Sequence, residues 1–171
     1  MVFSLRILTA ATFALAVAPT SSAQHAPMPP GKTPEQHMEQ MKQHGYAAMG
    51  FDQDRTTHHF TMSAEGGAIE VSANDLADQT SVRQIRAHLR EIAVAFKRGD
   101  FGKPQATHNE VPSGVPVMQR RKDAITYVYS DTAGGGIVLI HSADPEALAA
   151  IHEFIRYQVR EHKTGDPLTL P

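Results

Sequence analysis

Cysteine and tryptophan are both absent from the 171 residues of the sequence. Without cysteine, the chain can form no disulfide, thiolate metal site, iron–sulfur cluster or c-type haem attachment. The formal net charge is only −2, so no basic field favours a nucleic-acid partner. The sequence also contains no nucleophile elbow, glycine-rich phosphate loop or HExxH metalloprotease pattern. It therefore favours a protein that is not an enzyme, although a hydrolase built on His and Asp stays open.

The first 23 residues predict a cleavable signal peptide. Arg6 supplies the positive start, residues 7–18 are apolar and uncharged, and Ser21-Ser22-Ala23 places small residues before the cleavage point. The apolar run is shorter than the roughly twenty residues that a membrane-spanning helix needs, and no later segment is more apolar. We therefore expect a periplasmic or secreted mature chain of 148 residues, 171 less 23, without a membrane span.

Residues 24–50 predict a flexible, Pro-rich leader followed by a short helix. The helix should begin at Thr33-Pro34-Glu35-Gln36, with threonine as N-cap, proline at the first position and glutamine closing a capping box. We expect it to end near Gly45. Residues 51–171 should then form a single domain.

That domain contains an internal repeat, with units at about residues 57–100 and 125–166. Strands with two-residue periodicity, a glycine turn and an amphipathic helix are predicted in each unit. This ββαββα order predicts an α+β fold: a four-stranded, mainly antiparallel sheet with two helices on one face, a permutation of a ferredoxin-like arrangement. The connection, residues 101–123, should be a long loop with a short helical turn near its end. Matching residues include Gly66-Gly67 with Gly135-Gly136, His58 with Tyr127, Ile69 with Val138, Ile85-Arg86 with Ile155-Arg156, and Arg90-Glu91 with Arg160-Glu161.

Histidine is the most informative residue type, because all ten histidines lie in the expected mature chain. A hairpin turn near Glu65-Gly66 would pair Phe60 with Ile69 and His58 with Val71, so that His58 faces the helices.

Two more histidines are expected near His58. His88 lies on the sheet-facing side of the first repeat helix, and His108 lies in the connection just beyond it. Histidines contributed by a strand, a helix and a loop are typical of a metal site, so we predict His58, His88 and His108 as ligands. The alternative is that each is a hydrogen-bonded core residue. His152 and His162, on the second helix, are interpreted as packing or capping residues.

A second candidate site lies on the N-terminal helix. His37, Met41 and His44 occur at i, i+4 and i+7 and so share one helix face. Thioethers combined with imidazoles favour copper, particularly Cu(I), which predicts an auxiliary copper site here. The alternative is that the methionines are only the docking face of a short helix.

Several short segments resemble a family of exported bacterial proteins for which we know of no established activity. The segments are His58-His59-Phe60, Ile85–Leu89 and His162–Asp166, together with Met49–Gln53, Gly99–Phe101, His108 and Ile151–Phe154. The resemblance covers nearly all of the chain after residue 46. It implies that His58, His59, His88 and His108 belong to the family pattern, whereas the residues before Tyr46 do not.

Together these features predict a periplasmic metal-binding protein, with copper as the favoured metal and zinc as an alternative. A second hypothesis is a non-catalytic structural or interaction module of the cell envelope. Such a module would use the outer sheet face around His59, Glu70 and His141 to form a homodimer or to bind an envelope protein. A third is the binding of b-type haem through two histidines.

Overall fold

The computed structural model describes residues 33–171, so the expected signal peptide and Pro-rich leader lie outside the described residues. The first helix, α1 (Pro34–Met49), begins as predicted: Gln36 N–H donates to the Thr33 hydroxyl, and Thr33 N–H donates to the Gln36 side chain. The expected end near Gly45 is wrong, because the helix continues to Met49 and stops at Gly50 in the left-handed conformation. Gly45 is a packing glycine instead, since a Cβ there would lie 2.0 Å from Gln53 Nε2.

The two repeat units fold as predicted into a hairpin followed by a helix. The first unit comprises β1 (Thr56–Ser63), β2 (Gly66–Ala73) and α2 (Gln79–Lys97). Between the units lie two short helices, α3 (Gly102–His108) and α4 (Val115–Arg120). The second unit comprises β3 (Thr126–Asp131), β4 (Gly135–His141) and α5 (Pro145–His162). Short 3-10 turns at Gln53–Arg55 and Lys122–Ala124 precede β1 and β3.

The four strands form one antiparallel sheet in the order β1-β2-β4-β3. Phe60 pairs with Ile69 and His58 with Val71, which confirms the predicted register. At the centre of the sheet Ile69 pairs with Val138, its own counterpart in the other unit. The two units are therefore related by an approximate twofold axis through this pair.

Both long helices cover one face of the sheet, which confirms the predicted α+β architecture. Helix α2 packs mainly over β3 and β4, whereas α5 packs over β1 and β2. Each helix thus covers the hairpin of the other unit, and the core forms between them from aliphatic and aromatic side chains. On the opposite face, the central strands expose part of Ile137 and Leu139. None of the helices within residues 33–171 is long and apolar enough to cross a membrane.

The connection between the units is mostly helical, so the prediction of a long loop is wrong. Pro104 and Pro116 lie in the first turns of α3 and α4. Backbone nitrogens in a first turn have no acceptor within the helix, so proline costs no hydrogen bond there. The prolines therefore mark helix starts. Helix α3 packs against α1, and α4 packs against α5, which places α3 over one end of the core.

Candidate functional site

A small cavity of about 50 Å³ lies at the end of the core that α3 covers. Four histidines from four different elements line it: His58 on β1, His88 on α2, His108 on α3 and His162 on α5. We call this cavity with its four imidazoles the four-histidine pocket. The remaining lining is Met49, Phe60, Ile69, Val71, Leu89, Ile92, Phe96, Lys103, Pro104, Thr107, Phe154 and Gln158.

Ring contacts hold the imidazoles close to one another. The His58 ring stacks on that of His162, with centroids 5.2 Å apart and planes 23° apart. His108 approaches His162 edge-on at 5.1 Å. Phe51, which is only 1% exposed, contacts both His58 at 5.8 Å and His88 at 5.4 Å. The pocket is therefore a connected set of rings with a phenylalanine beneath it.

Helix α3 is held over the pocket by polar contacts to α5. His108 Nε2–H donates to Gln158 Oε1 at 3.2 Å. Just beyond the helix, the Tyr157 hydroxyl donates to Glu110 Oε1 at 2.6 Å, and the Tyr157 ring lies edge-on to His108. These contacts fix both the position of α3 and the plane of the His108 ring.

The pocket favours uncharged imidazoles. Burial lowers the pKa of His58 to about 4, with His59 adding to the effect. Burial, with help from Lys103 and His58, lowers the pKa of His88 to about 3. The pKa of His162 is also well below its ordinary value, because of burial and its neighbours His58 and His108. At neutral pH each of these three rings is a neutral imidazole with one N–H, so its other nitrogen can offer a lone pair.

Two of the rings bury polar atoms without a partner. Within the described part of the chain, His58 Nε2 and His88 Nδ1 have no hydrogen-bond partner, and neither does Gln158 Nε2. Buried polar groups are nearly always satisfied, so each exception calls for a functional or solvent explanation. These three atoms belong to residues that line the cavity, whereas two further exceptions, the hydroxyls of Tyr127 and Thr132, lie outside it.

The rings do not converge on a point as they stand. In residues 33–171, no group of three or more histidine, aspartate or glutamate side chains is arranged to hold a metal ion. The rings of His58 and His162 are stacked with planes 23° apart, so the lone pairs of these two imidazoles lie in nearly parallel planes. A change in ring orientation would be needed to bring the donors together.

The structure brings the three predicted ligands His58, His88 and His108 to one cavity and adds His162, which sequence reasoning had interpreted as a packing or capping residue. The signal in the sequence that His162 faces the core is its position on the apolar stripe of the helix, after Ile155 and Val159. His152 is a structural residue, since its Nε2–H donates to the Ser63 carbonyl at 2.9 Å.

The N-terminal candidates are only partly described. The side chains of His37 and Met41 lie outside the described residues, and His44 is exposed on α1. The helical backbone of α1 is the part of that prediction which the structure describes.

A further histidine, His59, forms a hydrogen bond with Asp166 on the outer side of β1. Its Nδ1–H donates to Asp166 Oδ1 at 2.9 Å, and the neighbouring Phe60 N–H donates to Asp166 Oδ2 at 2.9 Å. Burial opposes ionisation of Asp166, but donors from Thr164, Phe60 and His59 together lower its pKa. This carboxylate joins the segment after His162 to the strand that carries His58. It therefore helps to set the distance between two rings of the pocket.

In comparisons with protein-family models, curated proteins and solved structures, nothing matched this chain.

Proposed function

We propose that this is an exported metal-binding protein that holds one transition-metal ion, with copper favoured, in the four-histidine pocket. The observation that carries the proposal is the pair of buried ring nitrogens, His58 Nε2 and His88 Nδ1, which have no partner in the described chain and line the same cavity. His162 is the third ligand. His108 is a fourth and would bind through Nδ1, since its Nε2–H is engaged by Gln158.

The protonation state of the pocket supports metal binding at neutral pH. An imidazole must be unprotonated to bind a metal, so protons normally compete with the ion. The lowered pKa values of His58, His88 and His162 remove that competition well below pH 7. Most of the cavity lining is apolar.

The size of the cavity is adequate for an ion but not for a large ligand. One buried water needs about 10–15 Å³ on the same measure, so the cavity of about 50 Å³ has room for an ion and one or two waters. Metal binding would break the stack between His58 and His162 by turning one of the rings. We therefore expect the bound form to differ in side-chain torsions while the backbone stays in place.

The test is metal uptake by purified, chelator-treated protein. We expect about one copper or zinc ion per chain at the pocket, and a rise in the thermal unfolding temperature as the ion binds the folded state. The double variant His58→Asn/His88→Gln should lose this uptake. His141→Gln is the matched control, because His141 lies on β4 outside the pocket and its loss should change nothing. Folded protein that takes up no ion, or a double variant that binds as the parent does, would overturn the proposal.

Export and the auxiliary copper site belong to the same proposal. Residues 1–23 would direct the chain to the periplasm or outside the cell, where a cysteine-free site of histidine and methionine resists oxidation. His37, Met41 and His44 would form a second, weaker copper site on α1. Replacing these three residues should lower the copper stoichiometry while leaving uptake at the pocket intact.

The other two hypotheses have less support from the described residues. A porphyrin is far larger than a cavity of about 50 Å³, so b-type haem would require the core to open; an absorption spectrum of the purified protein tests this directly. An interaction module would use the outer sheet face around His59, Glu70 and His141. His59 is already bound to Asp166, which leaves less of that face for a partner.

A further inference from the structure

Met49 brings a sulfur ligand to the four-histidine pocket. It is the last residue of α1, it is 9% exposed, and it lines the cavity together with the four imidazoles. Its position is fixed by the two residues that follow it, because Gly50 ends the helix and Phe51 packs against the rings of His58 and His88. A thioether is a soft, uncharged donor that suits Cu(I) and contributes little to Zn(II).

The charge around the pocket points to the same ion. No aspartate or glutamate among the described residues lines the cavity, and the one ionic side chain that does is Lys103. The Lys103 ammonium donates to the Ala48 carbonyl at 3.1 Å and lies 3.2 Å from Glu91 Oε2.

These two features disfavour a divalent ion. Every candidate donor is neutral, so the full charge of the ion stays uncompensated in an apolar site. The cost of burying a charge grows with the square of that charge, and Lys103 repels a divalent ion twice as strongly as a monovalent one. Zn(II) and Cu(II) sites commonly include carboxylate or thiolate ligands, and this cavity has neither.

We propose that the four-histidine pocket takes copper as Cu(I), with Met49 as a thioether ligand beside the imidazoles and Lys103 as the residue that selects against divalent ions. This inference rests on the proposed function, since it specifies which ion the same site accepts. It concerns binding only, and the copper neither gains nor loses an electron at the site.

The test compares Cu(I) and Zn(II) affinities without oxygen. Cu(I) is supplied as its acetonitrile complex and competed with a chromogenic Cu(I) chelator, and Zn(II) is competed with a zinc-sensitive dye. All proteins carry the background His37→Gln/Met41→Leu/His44→Gln, so that the α1 face does not contribute. We expect Cu(I) to bind more tightly than Zn(II) by at least about a thousandfold, since the ligand softness and the charge both favour it.

Variants then separate the sulfur from the charge. Met49→Leu should weaken Cu(I) binding by at least about tenfold and leave Zn(II) binding unchanged. Met62→Leu is the matched control, because Met62 is equally buried in the core but does not line the cavity. Lys103→Gln should strengthen Zn(II) binding by about tenfold, with a smaller effect on Cu(I).

The possible failures are distinguishable. Zn(II) binding as tight as Cu(I), or Cu(I) affinity unaltered in Met49→Leu, would overturn this inference while leaving the pocket as a metal site. Absence of binding for both ions, in protein that is folded by circular dichroism, would overturn the proposed function itself.

Discussion

Replacing His88 by glutamine should flatten the dependence of the free energy of unfolding on pH. The pKa of His88 is lowered to about 3 and that of His58 to about 4 in the folded chain, whereas an exposed histidine titrates near 6.5. The unfolded chain therefore binds protons that the folded chain does not. Stability from these groups is complete above about pH 6.5 and falls as the pH approaches the folded-state values.

The size of the effect follows from those pKa values. About pH 5 is roughly 1.5 units below the pKa of a histidine in the unfolded chain. Each histidine that stays neutral in the folded chain therefore lowers the free energy of unfolding by about 2 kcal/mol at that pH. His58 and His88 together account for about 4 kcal/mol between pH 8 and pH 5, and His162 adds a loss of the same sign. Small domains have about 5–15 kcal/mol in total, so the parent protein should approach unfolding near pH 5.

Urea unfolding of the metal-free protein, followed by circular dichroism at constant ionic strength, measures this directly. His88→Gln should lose about 2 kcal/mol less than the parent over the same pH range. The control His141→Gln should keep the parental slope, because His141 lies outside the pocket. Parallel curves for the parent and His88→Gln would refute the reasoning, since they would mean that His88 is not held neutral by the fold.

Four further variants test other contacts. His162→Ile introduces the residue that the other repeat unit has at the equivalent position. Because burial keeps the pKa of His162 well below its ordinary value, the variant should lose less stability than the parent between about pH 8 and pH 5 in urea unfolding, and an equal loss would contradict the buried neutral state. Asp166→Asn should destabilise by about 1–3 kcal/mol and speed amide exchange in β1, whereas unchanged exchange would show that the carboxylate does not hold the strand. Gly66→Ala should cost about 3 kcal/mol or more, because its Cβ would lie 1.9 Å from the Ile140 carbonyl oxygen. Gly50→Ala meets no atom within 4 Å and should cost only the strain of a left-handed alanine, about 1–2 kcal/mol; thermal unfolding of both glycine variants measures the difference.

The parts of the fold that the sequence predicts correctly depend on local patterns. Alternating residues and the glycine turn determine the β1–β2 register, so that Phe60 meets Ile69. The threonine cap and its glutamine partner place the start of α1 for the same reason. Gly45 shows the limit of such signals, because a glycine that permits close packing and a glycine that ends a helix are identical in sequence.

The site was predicted less completely because its geometry depends on tertiary contacts. His58 and His88 belong to one unit, and the sequence places both on core-facing sides. The contact of His162 with His58 exists only because α5 crosses to the hairpin of the other unit, and no pattern within α5 indicates that crossing. His108 was expected in a loop and instead ends a helix, where its ring is buried.

The approximate twofold symmetry provides a comparison within the same molecule. The counterparts of His58 and His162 in the other half are Tyr127 and Ile92, and Tyr127 packs against Phe96 with ring centroids 5.8 Å apart. One half of the scaffold is therefore built at these positions without imidazoles. That half also buries a polar atom without a partner, the Tyr127 hydroxyl, and burying such an atom costs about 1–3 kcal/mol. The fold thus accepts a tyrosine and an isoleucine at these positions and does not itself require imidazoles, which agrees with the proposed role of His58 and His162 in the pocket.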